Sequence, residues 1–140
     1  MCIRDRCGDA EHFRGAAIAW GTKVEQDHVL VSLPAHAEVT KCIARHGRFS
    51  ISVLASSQSD IARQYGGQLQ SDQHTIDPGA LDFDRWTVPV VKGACAQILC
   101  EVRHRQTVRD QEVTIGEIIE LEASETLDPL VYDHGHYFPV

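Results

Sequence analysis

The residues that could do chemistry in this chain are few and scattered. Glu117 is the most constrained of them, because Val113, Ile115, Ile119 and Leu121 share its parity along an extended segment. A carboxylate on an apolar face needs a partner. An ion pair with an arginine such as Arg48 or Arg103 would supply one, and a place near a ligand cavity or a subunit interface is the second reading. His134 and His136 lie two residues apart, on the same side of an extended chain, and could both meet a metal. No third ligand is suggested, so no metal site is expected. Cys2, Cys7, Cys42, Cys95 and Cys100 form neither a CxxC pair nor a zinc-finger spacing, and their odd number does not suggest a disulfide framework; reduced thiols are expected. Cys100 falls in the alternation Ala96, Ile98, Cys100, Val102 and reads as a small buried hydrophobe, and Cys42, beside Val39 and Ile43 in a helical pattern, reads the same way. Trp20 follows the small residues of Ala17-Ile18-Ala19, where a backbone can approach a planar ring closely; core packing suits it equally, and the same two readings hold for Tyr65.

Whole classes of chemistry are absent at the level of motifs. The chain has no GxSxG, P-loop, HExxH or EF-hand loop, which removes the common hydrolase, nucleoside-triphosphatase and metalloenzyme signatures. A formal net charge of −7 with scattered Lys and Arg argues against a nucleic-acid surface. No apolar run approaches the roughly 18 residues of a membrane helix, and no apolar secretory segment opens the chain, so a soluble cytoplasmic protein is expected.

The elements that must position these residues are legible from periodicity. The 140 residues fit one domain with one core. Residues 1–12 lack periodicity and read as a disordered or non-native leader, with something missing upstream, and run straight into an interior strand over Gly15–Trp20; the domain proper is expected over 13–140. Val29–Leu33 is a strand ended by Pro34. A helix is expected over 35–46, with Ala35, Val39, Cys42 and Ile43 on one face and Gly47 as its stop. Phe49, Ile51 and Val53 alternate with Ser50 and Ser52, the pattern of a half-buried strand. Ser57 or Ser59 caps a second helix carrying Ile61, Ala62 and Tyr65, closed by Gly66-Gly67. Residues 68–82 read as a polar surface loop, and Phe83–Val88 as a short strand centred on Trp86. Ala94–His104 and Gln111–Glu122 are long antiparallel neighbours joined by a turn within 107–110. The chain is thus mainly β with inserted helices, and a small barrel suits it better than a parallel βαβ sheet.

Several segments, in order, resemble the flavin reductase-like family of FMN-binding split β-barrels. Gly15-Ala16-Ala17-Ile18-Ala19-Trp20-Gly21-Thr22 is similar to its "N-G-M-T-A-S-W-V-T" stretch; Gly47-Arg48-Phe49-Ser50-Ile51-Ser52-Val53-Leu54 is similar to "G-x-F-x-V-N-V-L"; and Ile61-Ala62-Arg63-Gln64-Tyr65 matches "x-A-R-x-F". Val88-Pro89-Val90-Val91 through Gly93 resembles "P-x-L-x-G". Val113-Thr114-Ile115-Gly116-Glu117-Ile118-Ile119, followed by Pro129-Leu130-Val131-Tyr132 and Gly135-His136-Tyr137, looks like the family's closing pattern.

The resemblance implies a homodimeric flavoprotein that binds FMN or FAD and reduces it with NAD(P)H, in some cases for a partner monooxygenase. It places the flavin ring near Trp20, Thr22 and Ser32, with Ile18, Leu33 and Thr40 around it. The phosphate falls at the backbone of Ala17 and Ala19, Arg63 assists nearby charge, and Gln111 touches the ring or the nicotinamide as the catalytic-site residue. Departures accompany these assignments. Ala17 and Ala19 stand where the family has hydroxyls, and each lost charge-assisted hydrogen bond weakens binding by roughly 1.5–3 kcal/mol. His28 and Val29 replace paired prolines, Val39 with Thr40 beside it replaces a helix hydroxyl, and Gln111 replaces a histidine. Glutamine donates and accepts hydrogen bonds but does not titrate. The second function class compatible with these losses is a non-catalytic module for a flavin, haem or another planar ligand.

Overall fold

The computed structural model describes residues 3–7, 14–18, 21–66, 78–83, 85–86, 88–133 and 136–139, and within these the side chains of 3–7, 14, 17, 64–66, 78, 131–133 and 136–139 are outside the description. The strands are β1 (Ile3–Cys7), β2 (Arg14–Ile18), β3 (Gly21–Glu25), β4 (His28–Pro34), β5 (Arg48–Val53), β6 (Leu81–Asp82), β7 (Val90–Val91), β8 (Ala96–Val108), β9 (Gln111–Ala123), β10 (Leu130–Asp133) and β11 (His136–Pro139). Helix α1 (Glu38–His46) lies between β4 and β5, and α2 (Ser59–Gly66) follows β5.

Seven strands form one antiparallel sheet in the order β2-β1-β5-β8-β9-β4-β3. Its two edges, β2 and β3, are consecutive in the chain, with only residues 19 and 20 between Ile18 and Gly21. Laid flat, seven strands would hold their edges about 29 Å apart. Three Cα–Cα steps reach about 11 Å. The sheet therefore curls until its edges approach, and the mainly β, barrel-like expectation holds. Register shifts between Leu99 and Cys100 and between Val102 and His104 assist the bend, since each bulge adds local twist. The bulge also explains why Leu99 and Cys100 are both buried although they are sequence neighbours.

The barrel interior is filled by Val29, Val31 and Leu33 of β4, Ala16 and Ile18 of β2, and Phe49 and Ile51 of β5, with Val39, Cys42 and Ile43 of α1 packed against the same core. The helix starts at Glu38, later than expected, because the Ala35 N–H is taken by the Asp110 carbonyl (2.8 Å). It ends as expected on Gly47, whose φ of 71° suits a residue without a side chain.

Other expectations are corrected. Ile3–Cys7, read as part of a disordered or non-native leader, forms β1 and pairs with both β2 and β5. With β8 on its other side, β5 is central and not half-buried. Ser50 and Ser52 are fully buried because the Ser50 hydroxyl donates to the Pro89 carbonyl (2.6 Å) and the Ser52 hydroxyl accepts the Val91 N–H (3.1 Å). Ser50→Ala orphans that carbonyl and is expected to lower stability by about 1–3 kcal/mol, read as a lower urea midpoint; an unchanged midpoint would refute this role. Phe83–Val88 is not a strand among its described residues. Trp86 sits in a bend, its indole N–H donating to Glu120 (2.5 Å) and its ring facing the Arg85 guanidinium (5.6 Å), while the pairing falls to Leu81–Asp82 and Val90–Val91 on either side. Leu81–Asp82 and the 3-10 turn Pro78–Ala80 shorten the expected loop, whose residues 68–77 lie outside the description. Cys42 is disulfide-bonded, against the expectation of reduced thiols throughout, whereas Cys95 and Cys100 are in no disulfide, Cys100 being fully buried.

The β8–β9 hairpin turns at Arg109-Asp110, and the φ of 54° at Arg109 is the left-handed value that a two-residue hairpin turn demands. Along β9 the inward parity is opposite to the one expected. Glu112, Thr114 and Gly116 point into the protein, while Val113 and Ile115 are half-buried on the outer face and Ile119 and Leu121 are exposed. The Phe49 ring lies directly against Gly116, so that inward position has no room for a side chain.

Candidate functional site

Three of the residues singled out in the sequence meet at the carboxyl end of β4. Ser32 lies opposite Val113 and Pro34 opposite Gln111 in the β4–β9 ladder, which places Ser32 and Gln111 on one face. The Ser32 hydroxyl donates to Gln111 Oε1 (3.1 Å). This leaves the Gln111 amide N–H pair without a partner among the described residues. Thr40, buried in α1, donates its hydroxyl to the Pro34 carbonyl (2.7 Å) and pins the helix to the strand end. That hydroxyl is spent on the fold, so Thr40 positions the site and does not face it.

Leu30 and Ile115 form the next pair along the same face, and Thr22 pairs with Leu30 from β3. Thr22 therefore lies about 7 Å along the ladder from Ser32. The result is a half-buried, largely apolar outer surface of Leu30, Val113 and Ile115, edged by Ser32 and Gln111. Thr22 and Leu30 also border a cavity of about 440 Å3, whose other walls include Val29, Val31, Ile51, Val53 and Ile98.

The remaining candidates divide. Ile18 and Leu33 are 5% and 2% exposed, so their side chains belong to the core and only their backbone could meet a ligand. The Ala17 side chain, Ala19 and Trp20 lie outside the described residues, as do the Tyr65 side chain, His134 and the His136 side chain. Arg63 is exposed on α2 and held by its own helix, at 3.4 Å from Ser59 Oγ and 3.5 Å from Asp60, and no contact described here joins it to Ser32 or Gln111.

Glu117 has the ion-pair partner expected for it. Arg103 Nε donates to its carboxylate at 2.6 Å, Arg103 also reaches Glu101 (2.9 Å), and Arg48 bonds Glu101 from β5. The hydrogen bond and the charge of Glu117 raise the Arg103 guanidinium above its ordinary value, so this end of the pair stays charged. The sequence reading missed Glu112. It is 6% exposed and bound by Arg105 (2.8 Å) and Thr107 (2.7 Å), and the only signal for it was its parity with Thr114 and Gly116. Among the described residues no three His, Cys, Asp or Glu side chains converge as a metal site would require, and no helix is long and apolar enough to cross a membrane.

The model of the flavin reductase like domain matches residues 6–140. The chain belongs to the flavin reductase-like family. Solved structures of the same fold include the NADH:FAD oxidoreductase SgcE6 of Streptomyces globisporus C-1027, with 19% identity, a TM-score of 0.85, and coverage of 99% of this chain and 84% of that one. The styrene monooxygenase flavin reductase SMOB of Pseudomonas putida S12 shows 22% identity, a TM-score of 0.83, and coverage of 97% and 87%. An FMN-binding protein of Thermus thermophilus, solved with p-hydroxybenzaldehyde, shows 20% identity, a TM-score of 0.84, and coverage of 99% and 85%. No curated protein matches the sequence significantly. As a flavin reductase-like domain, the molecule is a split barrel.

Proposed function

We propose that this flavin reductase-like chain binds FMN or FAD on the face edged by Ser32 and Gln111 and reduces it with NADH or NADPH. The observation that carries the reading is the Ser32–Gln111 hydrogen bond beside the half-buried surface of Leu30, Val113 and Ile115. A flat apolar area with hydrogen-bonding groups along one edge fits a ring system that is apolar on its faces and polar at its rim. Structures in the same fold support it, since SgcE6 has been solved with NAD and FAD fragments.

A bound flavin supplies the two-electron chemistry, and the protein contributes binding, orientation and control of water. Ser32 holds the Gln111 carboxamide by its oxygen, so the N–H pair is presented outward as a donor to a ring or carboxamide acceptor. Leu30, Val113 and Ile115 exclude water beneath the ring. With Ala17 and Ala19 in place of hydroxyls, backbone N–H groups of that stretch would hold the flavin phosphate, and Arg63 of α2, a helix that packs beside β2, would assist its charge. The exposed apolar residues Ile119 (41%) and Leu121 (58%) continue along the same strand and mark it as a contact surface, in keeping with a homodimer and with delivery of reduced flavin to a partner monooxygenase in the cytoplasm.

The absence of hydroxyls at Ala17 and Ala19 and of a titratable group at Gln111 favours a second reading, a non-catalytic module that holds a flavin, haem or another planar ligand. Titration of the purified protein with FMN, followed by flavin fluorescence with NADH and NADPH consumption recorded in parallel, separates the two. Saturable quenching with turnover is the expected result. Binding without turnover selects the second reading, and no binding refutes both placements of the flavin.

A further inference from the structure

We propose that Glu112 is a positioning residue that sets the direction of the Gln111 carboxamide, an inference that rests on the reductase reading above. Gln111 is the first residue of β9, directly after a two-residue turn, where a strand end would otherwise fray. Its neighbour Glu112 is buried although acidic, and each of its carboxylate oxygens has a separate partner on β8. Oε1 pairs with Arg105 Nη2 (2.8 Å), and Oε2 accepts the Thr107 hydroxyl (2.7 Å). On its other side Glu112 lies opposite the buried Leu33 of β4. The residue after Gln111 is thus tied to both neighbouring strands, while the Asp110 carbonyl before it accepts the Ala35 N–H (2.8 Å).

Strand alternation does the rest. With Glu112 held inward, Gln111 must point to the opposite face, where its Oε1 meets Ser32. A well-packed apolar residue at 112 would stabilise the hairpin as well or better, because burying a carboxylate offsets much of its Coulombic gain. What the carboxylate adds is direction: two bonds of fixed geometry that allow one register at the strand end and hence one orientation of Gln111.

The test compares wild type, Glu112→Gln, Gln111→Ala and the double variant, with steady-state NADH-dependent FMN reduction, thermal unfolding, and the side-chain amide signal of Gln111 in a proton–nitrogen NMR spectrum of the protein without cofactor. Glu112→Gln is expected to lower kcat roughly tenfold and to move the Gln111 amide signal toward that of a free side chain. In the Gln111→Ala background the same substitution should leave kcat within about twofold, since residues acting through one another are not additive. An equal fall in both backgrounds, or an unmoved Gln111 signal, overturns the proposal in favour of a merely structural carboxylate. Should Glu112→Gln fail to fold, Thr107→Val removes one tie from an exposed partner and is expected to give the same non-additive pattern with smaller amplitude. A wild type without turnover defeats the reductase reading, and the Gln111 signal still decides whether Glu112 orients it.

Discussion

Replacing Phe49 with alanine is expected to remove about 3–5 kcal/mol of stability, a large part of the roughly 5–15 kcal/mol available to a domain of this kind. Phe49 is fully buried in the central strand β5, and its ring lies directly against Gly116 of β9. A Cβ at position 116 would sit 2.8 Å from Phe49 Cζ and 3.0 Å from Cys100 Cβ, closer than carbon atoms pack. The two positions are therefore one packing unit across β8, and they predict each other's variants. Gly116→Ala overfills the barrel and should cost about 1–3 kcal/mol or more. Combining it with Phe49→Leu should cost less than the sum of the two, because the smaller side chain vacates the space the new methyl needs. Urea unfolding of the four proteins measures this as midpoints at constant slope. Strict additivity would show that the ring and the glycine do not share that space.

The same pair shows why the fold was only partly legible in the sequence. Elements with strong local signals were found where they were expected: β4 ending at Pro34, α1 ending on Gly47, and the β8–β9 hairpin. What local pattern cannot report is which side of a strand is already occupied. Val113, Ile115, Ile119 and Leu121 read as a core face because they are apolar, yet Glu112, Thr114 and Gly116 are the inward residues, Gly116 directly against the Phe49 ring. Ser50 and Ser52 read as a solvent face, but a segment some forty residues along the chain supplies their partners at Pro89 and Val91. The strand expected around Trp86 failed for a related reason. Its aromatic and apolar composition serves side-chain anchoring to Glu120 and not ladder pairing.

At the candidate site the structure brings Ser32, Thr40 and Gln111 to one strand end and divides their roles. Thr40 is committed to the Pro34 carbonyl, and Leu33 and Ile18 to the core, which no motif distinguishes from ligand contact. Glu112 could not have been selected from sequence, because its importance depends on Arg105 and Thr107 reaching it across the hairpin. A charged residue at an alternating strand position usually faces water, and only the opposite parity of β9 sends this one inward.

Under the reductase reading proposed above, Gln111→His is expected to give the protein a pH dependence that the wild type lacks at this position. Glutamine has no titration, so its hydrogen bond with Ser32 and its outward N–H pair are the same at pH 6 and pH 8. An imidazole at 111 changes charge near its ordinary value of about 6.5. Below that pH both ring nitrogens donate; above it one of them must accept, and the Ser32 hydroxyl is the donor already in place. The variant's kcat for NADH oxidation at saturating FMN should therefore change across pH 5.5–7.5, where wild type stays flat apart from effects common to both proteins. Gln111→Leu removes both donors and should lower kcat/KM roughly 10- to 100-fold, the effect of losing about 1.4–2.7 kcal/mol of hydrogen bonding in the transition state. Paired pH profiles of the three proteins check both statements together. If Gln111→Leu stays within twofold of wild type, the carboxamide is not at the reacting ring. If it falls while Gln111→His shows no new titration, Gln111 acts through its hydrogen bonds alone, and the imidazole at this place would be serving as a donor in a single protonation state. That outcome would separate the two duties a histidine could perform here and assign the remaining one, orientation, to the residue this chain carries.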